Sequence, residues 1–494
     1  MGQRLGGAGP GMATVCLRFL LGAFCAVALI LSGDGGAGAP SLLLHHEQVS
    51  SQPKVVPLPL PQSLSVVAAD RPVEVPGGYP MRLTAQVGGS HVQASWSYVD
   101  GLPGLNAHMD SWLLGLLDAA ASPGGRYRPV MGLNAVQASS PEMTVSAVPV
   151  QAKGTIIVLR EKVARAGTNG MSSVESGTVY VDTVSGAVRG AGDLLRPEAI
   201  PSIQSRIMGV PAGIVVPSPQ GAPLTDLVLS PSGELTVTAE LPTRPGRQVS
   251  MTMDASDTGT ALSDYGRQAL EQLNAAPAPR PATAPALRHV NCDLVPCAAL
   301  TYDDGPDART TPQLVAILAE KNAQATFFMT GSSATANPST AKQVADAGYA
   351  IGNHTFSHPY LTKLSPPAMK KEIERADAAI LAATGSIPTM MRPPYGAADA
   401  AVQAAVGEPL MLWAVDSLDW QSKNPAVFVP KVLTEITPGA IVLMHDVLPT
   451  TIAGQQELIA TLQKQGYQLV SVPQLFEGVS LIPGHVYRSR PARQ

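Results

Sequence analysis

The sequence predicts an α/β protein in which a seven-stranded, closed or nearly closed β/α barrel follows a smaller α+β domain. Strand-like apolar runs alternate with helical stretches over about 190 residues of the C-terminal part, a rhythm typical of a parallel sheet covered by helices. A Pro/Ala-rich stretch precedes this region, and the chain before it mixes alternating strands with an amphipathic helix. The two rhythms indicate two domains joined by a linker.

Composition narrows the classes of partner. The 494 residues suit two to four domains. Charged residues make up 14% of the chain and the formal net charge is −4. A net charge this close to zero gives no electrostatic reason to expect binding to nucleic acid or to an acidic membrane surface.

The N-terminus has the pattern of a secretory leader. Two arginines precede the apolar run 19–31, and Ala37 and Ala39 follow it in an A-x-A arrangement. We therefore expect a signal peptide over 1–39 and a secreted or envelope-associated protein. The apolar run is shorter than the roughly 20 residues that cross a bilayer, so we expect no stable transmembrane span; an uncleaved anchor is the alternative.

The cysteines divide between the leader and the rest of the chain. Two of the four lie in the leader, so the mature protein would carry only Cys292 and Cys297. In an oxidising compartment this pair is expected to form one small disulfide. A metal site is the alternative, and it is disfavoured because two thiolates with no second Cys or His pair nearby make an incomplete zinc set.

Three segments are expected between the leader and the barrel. Residues 40–78 are rich in Pro and Ser and predict a poorly ordered spacer, whereas 79–273 predict the α+β domain and 274–289 a semi-rigid linker. The domain's strands are read from "HVQASWSYV", "TIIVLR", "GTVYVDT" and "GELTVTAEL". Its helix is read from an apolar face formed by Leu105, Met109, Trp112, Leu113 and Leu116.

The barrel is predicted over 290–480, with 481–494 as a tail. Its strands are read from "CAALTY", "ATFFMT", "YAIGN", "PTMMR", "LMLWAV", "GAIVLM" and "YQLVSV". Helices are expected from about Thr311, from about Pro338, and over 366–383, 425–435 and 455–465.

Chemically reactive side chains follow the ends of successive strands. In a β/α barrel these positions converge on the C-terminal rim, where such folds carry their active sites. A random set of turn residues would not show this convergence. The residues are Asp303 and Asp304, His354 and His358, Arg392 and Tyr395, Asp416 and Asp419, and His445 with Asp446.

The stretch "NHTFSHPYL" indicates a metal site. His354 and His358 stand at i and i+4, so on one helical turn both rings would face the same way and could share an ion. The alternative is that both are solvated loop histidines. A carboxylate from another strand end would complete a set of two histidines and one carboxylate with open positions. Asp304 can be that ligand, which leaves Asp303 for a different task.

Five motifs together resemble the polysaccharide deacetylase family, also called the NodB homology domain or carbohydrate esterase family 4. "TYDDGP", "HTFSHP", "RPPYG", "DSLDW" and "LMH" stand in the family's order over about 290–480. Tyr302 stands where the family usually has Phe. The resemblance implies a distorted barrel of fewer than eight β/α units, in agreement with a (β/α)7 arrangement.

The resemblance also implies a hydrolytic site. Asp304, His354 and His358 look like the metal ligands, with zinc the default and cobalt or another divalent ion possible. Asp303 would be the general base that deprotonates the attacking water. Arg392 is expected to pair with Asp303 and to keep it oriented and ionised.

Further roles follow from the same resemblance. The backbone N–H of Tyr395 would stabilise negative charge on the attacked carbonyl oxygen. His445 resembles the general acid for the departing amine, with Asp419 as its carboxylate partner. Trp420 and Leu443 would form apolar walls around the acetyl methyl, and plain core packing is the alternative explanation for both. Asp416, Asp446 and His485 stay outside the expected catalytic set.

The leading hypothesis is a secreted, metal-dependent N-deacetylase that acts on a polymer of N-acetylated amino sugars, with peptidoglycan favoured. A chitooligosaccharide deacetylase and an acetylxylan esterase are the enzymatic alternatives. A non-catalytic glycan-binding or sensing envelope protein is the alternative from another class, and the complete set of reactive residues argues against it. Two short pieces of the α+β domain weakly resemble an extracytoplasmic domain of anti-sigma factors of the RsiV type, which assigns no site.

Overall fold

The computed structural model describes residues 65–66, 72–121, 124–130, 141–166, 172–207, 224–240, 248–277 and 288–493. All of them belong to one compact unit, Pro59–Gln494. The expected signal peptide lies outside the described residues, as do most of the expected spacer and the centre of the expected linker. Within the described ranges, no helix combines the length and the apolar character that a membrane crossing requires.

A six-stranded sheet follows the short first strand, β1 (Ser65–Val66). Its strands lie side by side in chain order and are antiparallel, except that β3 and β4 are parallel. A parallel pair needs a crossover, and the helix α1 (Pro103–Ala120) lies between these two strands in the chain. The strands are β2 (Gly78–Val87), β3 (Ser90–Val99), β4 (Met143–Lys153), β5 (Ile156–Ala166), β6 (Ser172–Asp182) and β7 (Val188–Gly190).

The helix α1 buries a face slightly rotated from the predicted one. Leu105, Met109 and Leu113 are buried as expected, and Leu117 joins them. Trp112 and Leu116, which the sequence analysis placed on the same face, are only partly buried. Burial on this helix therefore follows the i, i+4 and i+8 positions.

A second, antiparallel sheet and three helices complete the N-terminal part. The sheet has the order β1-β10-β9-β8. Its first strand, Ser65–Val66, pairs with residues 249–250 although the sequence analysis placed it in the spacer; a two-residue strand has no periodicity to detect. The elements are β1 (Ser65–Val66), β8 (Asp226–Leu229), β9 (Leu235–Glu240), β10 (Gln248–Met253), α2 (Ile200–Ile207), α3 (Ala255–Ala261) and α4 (Asp264–Leu273).

The C-terminal part is a distorted β/α barrel, which confirms the predicted fold class. Parallel strands run in the order β13-β12-β11-β16-β15, and β17 pairs with the start of β11. The fourth predicted strand, "PTMMR", contributes only Met391, which bridges Asn353 to Leu410. The strands are β11 (Cys297–Asp303), β12 (Thr326–Met329), β13 (Ala350–Asn353), β14 (Leu410–Met411), β15 (Val415–Asp416), β16 (Ile441–His445) and β17 (Gln468–Leu469).

Helices cover the outside of this barrel. All seven residues of β11 are buried, as expected for a parallel strand packed on both faces. The helices are α5 (Thr311–Glu320), α6 (Gly331–Ala336), α7 (Pro338–Asp346), α8 (Pro366–Thr384), α9 (Ala400–Ala405), α10 (Asp419–Ser422), α11 (Pro425–Glu435), α12 (Pro449–Lys464) and α13 (Val472–Leu475).

The last residues of the chain are part of the barrel. The strand β18 (Val486–Tyr487) pairs in parallel with β14. Arg490 donates to both carboxylate oxygens of Asp293, at 3.1 and 2.8 Å. Residues 481–494 are therefore not the expected tail. The reason is the same as for β1, because a strand of two residues leaves no periodic pattern in the sequence.

One apolar core joins the six-stranded sheet to the barrel. It includes Trp96 and Met109 on one side and Leu294, Ile441 and Phe476 on the other. Ile441 is the first residue of its strand, so the sheet covers the barrel end opposite the C-terminal rim. Cys292 and Cys297 form a disulfide beside this core, with Cα atoms 5.4 Å apart.

A histidine at the end of the expected linker connects the two parts electrostatically. Nε2 of His289 lies 2.8 Å from a carboxylate oxygen of Asp110 on α1, and Nδ1 lies 3.5 Å from Glu477, which follows α13. Burial alone would lower the pKa of this imidazole. The hydrogen bonds and charges of the two carboxylates outweigh burial and raise the pKa of His289 from 6.5 to about 9.

The raised pKa predicts a pH-dependent contribution to stability. Because protonation is favoured in the folded state, the stabilisation is fully present below about pH 6.5 and is lost as the pH rises through about 9. We expect His289→Ala to lower the free energy of unfolding by about 2 kcal/mol at pH 6. In urea unfolding, the difference in the free energy of unfolding between wild type and variant should shrink towards pH 9. A difference that stays constant with pH would show that protonation of His289 does not stabilise the fold.

Candidate active site

The strand ends of the barrel rim surround a cleft of about 390 Å³. Nine of the residues that the sequence analysis singled out line this cleft, so the predicted convergence on one face is found. Its lining consists of Asp303, Asp304, His354, His358, Tyr395, Trp413, Asp416, Trp420, Leu443, His445, Val447 and Leu448.

Asp303 is the last residue of β11 and is held by a buried arginine. Nη1 of Arg392 donates to Oδ1 of Asp303 at 2.7 Å. The guanidinium also donates to the Thr301 hydroxyl and to two backbone carbonyls, and it is fully buried. Burial raises the pKa of Asp303 above its ordinary range, and the charge of Arg392 opposes the rise. The carboxyl is therefore more basic than an ordinary Asp, which suits a proton acceptor.

Asp304, His354 and His358 bring three ligand atoms together within 4.8 Å of one another. Oδ1 of Asp304 lies 3.6 Å from Nε2 of His354 and 3.3 Å from Nε2 of His358. One carboxylate and two imidazoles are a donor set that suits a catalytic zinc ion or another divalent ion of similar preference. The residues present therefore fit a divalent cation.

The other nitrogen of each imidazole is engaged, and this frees Nε2 for the cluster. Nδ1 of His354 lies 2.7 Å from the carbonyl oxygen of Arg392, to which it donates as N–H. Nδ1 of His358 lies 3.2 Å from the hydroxyl of Tyr395. Burial lowers the pKa of His354 to about 3, so its ring stays in the neutral form in which imidazole binds metals.

The two histidines do not lie on a helical turn, so that part of the prediction was wrong. Residues 354–360 form a loop after β13, and Thr355 and His358 have left-handed backbone with φ of 65° and 59°. The loop still brings the ring centroids to 5.0 Å. Backbone geometry that the spacing alone could not indicate therefore orients the second ring.

His445, which lines the cleft, is paired with the buried carboxylate of Asp419. Asp419 accepts the Nδ1–H of His445 at 2.9 Å, the backbone N–H of His445 at 2.8 Å and the hydroxyl of Thr451 at 2.6 Å. Burial would raise the pKa of this carboxyl, but the hydrogen bonds hold it below its ordinary value. Burial likewise opposes charge on the imidazole, yet Asp419 raises the pKa of His445 to about 9. A protonated His445 is a ready proton donor.

Three further predicted residues border the cleft. Tyr395 has left-handed backbone, with φ of 61°, and its side chain is 54% exposed. Trp420 is 48% exposed, and Leu443 is buried within β16 although it reaches the cleft wall. Tryptophan and leucine thus provide apolar surface beside the reactive groups.

Left-handed backbone is concentrated around this cleft. Of the seven non-glycine residues with positive φ in the described ranges, five lie in the rim loops. Such residues cost energy and persist where surrounding contacts fix them, commonly at functional sites. The five are Asp304, Thr355, His358, Tyr395 and Leu418.

The residues left outside the catalytic set have structural contacts. Asp416 accepts the backbone N–H of Leu418 at 2.9 Å. Asp446 is fully buried and accepts the hydroxyl of Thr311, and burial raises its pKa to about 7. His485 packs its ring edge against Tyr487, away from the cleft.

Sequence reasoning missed several residues that support the site. The Thr301 hydroxyl accepts from Arg392, and the Thr451 hydroxyl donates to Asp419. Trp413 lines the cleft. Tyr360 stacks on the ring of Tyr395, with centroids 3.8 Å apart. Tyr360 lies two residues after His358. This closeness to the histidine motif was the one sequence signal that could have placed it at the site.

Comparison with known proteins agrees with this geometry. The family described as polysaccharide deacetylase matches residues 291–408. The chain is 41% identical over 178 residues to the peptidoglycan-N-acetylglucosamine deacetylase PgdA of Listeria monocytogenes, an alignment that covers 36% of this chain and 38% of that protein. It is 32% identical over 186 residues to the peptidoglycan-N-acetylglucosamine deacetylase of Bacillus cereus, covering 36% and 68%. It is 34% identical over 194 residues to a chitooligosaccharide deacetylase of Bradyrhizobium, covering 36% and 89%.

The fold and the site together define a β/α barrel with a two-histidine, one-carboxylate cluster at its C-terminal rim. The chain belongs to the polysaccharide deacetylase family, as the sequence resemblance indicated, because it covers most of the Bradyrhizobium relative at 34% identity. It spans little more than a third of the length of the Listeria relative.

Proposed function

We propose that this protein is an exported, metal-dependent N-deacetylase that hydrolyses the acetamido groups of N-acetylated amino sugars in a glycan polymer, with peptidoglycan as the favoured substrate. One observation carries the proposal. A ligand cluster of two histidines and one carboxylate shares a cleft with a separate buried carboxylate, Asp303, and with a carboxylate-paired histidine, His445. Hydrolysis of an amide needs all three functions, namely an electrophile, a base and an acid.

Asp304, His354 and His358 would hold the ion, with zinc proposed and cobalt the alternative. When bound there, the ion would polarise the acetyl carbonyl and increase the acidity of a nearby water molecule. The first oxygen of Asp303 accepts from Arg392, and its second oxygen lies 3.7 Å from Nε2 of His354, beside the ligand cluster. Asp303 takes the proton of the attacking water, and Arg392 keeps that carboxylate in place.

Proton delivery to the leaving amine is the task of His445. An amine leaves readily only when it is protonated, and the pKa of about 9 keeps His445 protonated at neutral pH. Its Nδ1–H bond to Asp419 fixes the ring, so Nε2 is the nitrogen that donates. His445 thus lies in the same cleft as Asp303, as the acid beside the base.

The remaining cleft residues select and stabilise the acetyl group. The backbone N–H of Tyr395 would donate to the carbonyl oxygen as negative charge develops there. Trp420 and Leu443 would enclose the methyl group and exclude water from it. These contacts recognise an acetyl group without specifying the sugar that carries it.

Peptidoglycan is proposed as the polymer on two grounds. The Listeria and Bacillus relatives are named for deacetylation of peptidoglycan, and the N-terminus has a secretory pattern that would take the chain to the cell envelope. The Bradyrhizobium relative is named for chitooligosaccharides, and this makes chitin oligomers the necessary comparison.

A substrate panel tests this proposal. The purified protein with zinc is incubated with peptidoglycan fragments, chitin oligomers and acetylated xylan, and loss of acetyl is followed by mass spectrometry with and without a chelator. We expect chelator-sensitive loss, with the highest kcat/KM on peptidoglycan fragments. A preference for chitin oligomers or for xylan would replace the proposed substrate, and no loss from any of the three would contradict the enzymatic function.

A further inference from the structure

The two histidine ligands are supported in very different ways. His354 is 2% exposed, and its Nδ1 is bound to a backbone carbonyl, that of Arg392 at 2.7 Å. His358 lies in a more open position, with 30% of its side chain exposed. Its Nδ1 faces the hydroxyl of a side chain, Tyr395, at 3.2 Å. The first ring is held by the backbone, whereas the second depends on another side chain.

Tyr395 is in turn held by an aromatic stack. Its ring is stacked nearly parallel on Tyr360, with an interplanar angle of 11° and centroids 3.8 Å apart. Nζ of Lys363 lies 4.5 Å from the centroid of the Tyr360 ring, within the range of a cation–π contact. Both tyrosines are largely exposed, at 42% and 54%, so general burial does not explain the fixed arrangement.

We propose that Tyr395 and Tyr360 are positioning residues for His358. The Tyr395 hydroxyl accepts Nδ1–H, which leaves the Nε2 lone pair directed at the cluster with Asp304. Tyr360 holds the Tyr395 ring where its hydroxyl can do so. This role of the Tyr395 side chain is separate from the expected role of its backbone N–H towards the substrate.

The physical basis is the general behaviour of metal-binding histidines. An outer partner on the second ring nitrogen fixes the tautomer and the ring orientation, and its loss typically weakens metal binding by 10- to 100-fold. Since Nδ1 of His354 is bound to the backbone, no side-chain substitution removes that partner. Side-chain changes at the two tyrosines should therefore act on His358 alone.

The test is the dissociation constant of zinc, measured by competition with a chromophoric chelator on the purified full chain. We expect Tyr395→Phe, which removes only the hydroxyl, to raise the Kd of zinc about tenfold. Tyr360→Ala should raise the Kd of zinc several-fold. Tyr360→Phe keeps the ring and should bind zinc as tightly as the wild type. Tyr487→Phe, a phenol remote from the cleft, is the matched control.

The outcomes separate this inference from the proposed metal-dependent function on which it rests. If the wild type binds zinc and Tyr395→Phe binds it equally well, the positioning role is wrong and the proposed function stands. If the wild type binds neither zinc nor cobalt, both are overturned. The absorption spectrum of bound cobalt is a second readout, and it should change in Tyr395→Phe and Tyr360→Ala but not in Tyr360→Phe. Far-UV circular dichroism checks that each variant is folded.

Discussion

Replacing Asp303 by Asn is expected to reduce kcat by about 10³-fold while zinc stays bound. General base catalysis typically contributes 10²- to 10⁴-fold, and an amide cannot accept the proton. The zinc content should be unchanged, because Asp303 is not part of the three-residue ligand cluster. Deacetylation kinetics and metal analysis of the same preparation measure the two effects.

Stability must be measured alongside, because Asp303 also neutralises a buried arginine. The Asn side chain keeps an acceptor for Arg392 but removes the opposite charge, and losing one member of a buried pair costs about 3–5 kcal/mol. The assay is run well below the melting temperature of the variant. Asp346→Asn on α7 removes an exposed carboxylate and serves as the control. An Asp303→Asn protein that is folded and retains most of its activity would show that another group is the base.

Replacing Asp304 by Ala is expected to remove both metal and activity. Asp304 supplies the only carboxylate of the cluster, so its loss leaves two imidazoles as ligands. We expect the Kd of zinc to rise by at least about 100-fold, since losing an outer-shell partner already costs 10- to 100-fold. Chelator competition measures the Kd, and acetyl release measures the activity at stoichiometric zinc.

The contrast between the adjacent carboxylates is what makes this pair of experiments decisive. Asp303→Asn should lose turnover and keep zinc, whereas Asp304→Ala should lose both. Glu374→Ala on α8 removes an exposed carboxylate of similar charge and should change neither. Full zinc affinity in Asp304→Ala would exclude Asp304 as a ligand.

The sequence predicted the barrel and its rim because both leave strong local signals. Alternating strands and helices indicate a parallel sheet, and residues after strand ends must meet on one face of it. Asp303, His354 and His445 could be placed in one cleft on that rule alone. Arg392 could be assigned to Asp303 only through the family resemblance, since no spacing relates residues 89 positions apart.

Features without a local pattern could not be predicted. The strands β1 and β18 have two residues each, and such short pairings depend on the neighbour rather than on the sequence. The position of His358 depends on left-handed backbone in its loop. The spacing of four residues from His354 wrongly predicts a helical turn there. The core shared between sheet and barrel joins residues far apart in the chain, so the linker gave no hint of contact between the two parts.

The central claim is that this cleft removes acetyl groups by a reaction that needs both a metal ion and Asp303. The most direct measurement is mass spectrometry of an N-acetylated peptidoglycan fragment after incubation with metal-free wild type, with zinc-loaded wild type and with zinc-loaded Asp303→Asn. We predict the free-amine product with the zinc-loaded wild type alone. Equal product with the metal-free protein, or none with the zinc-loaded wild type, would contradict the claim.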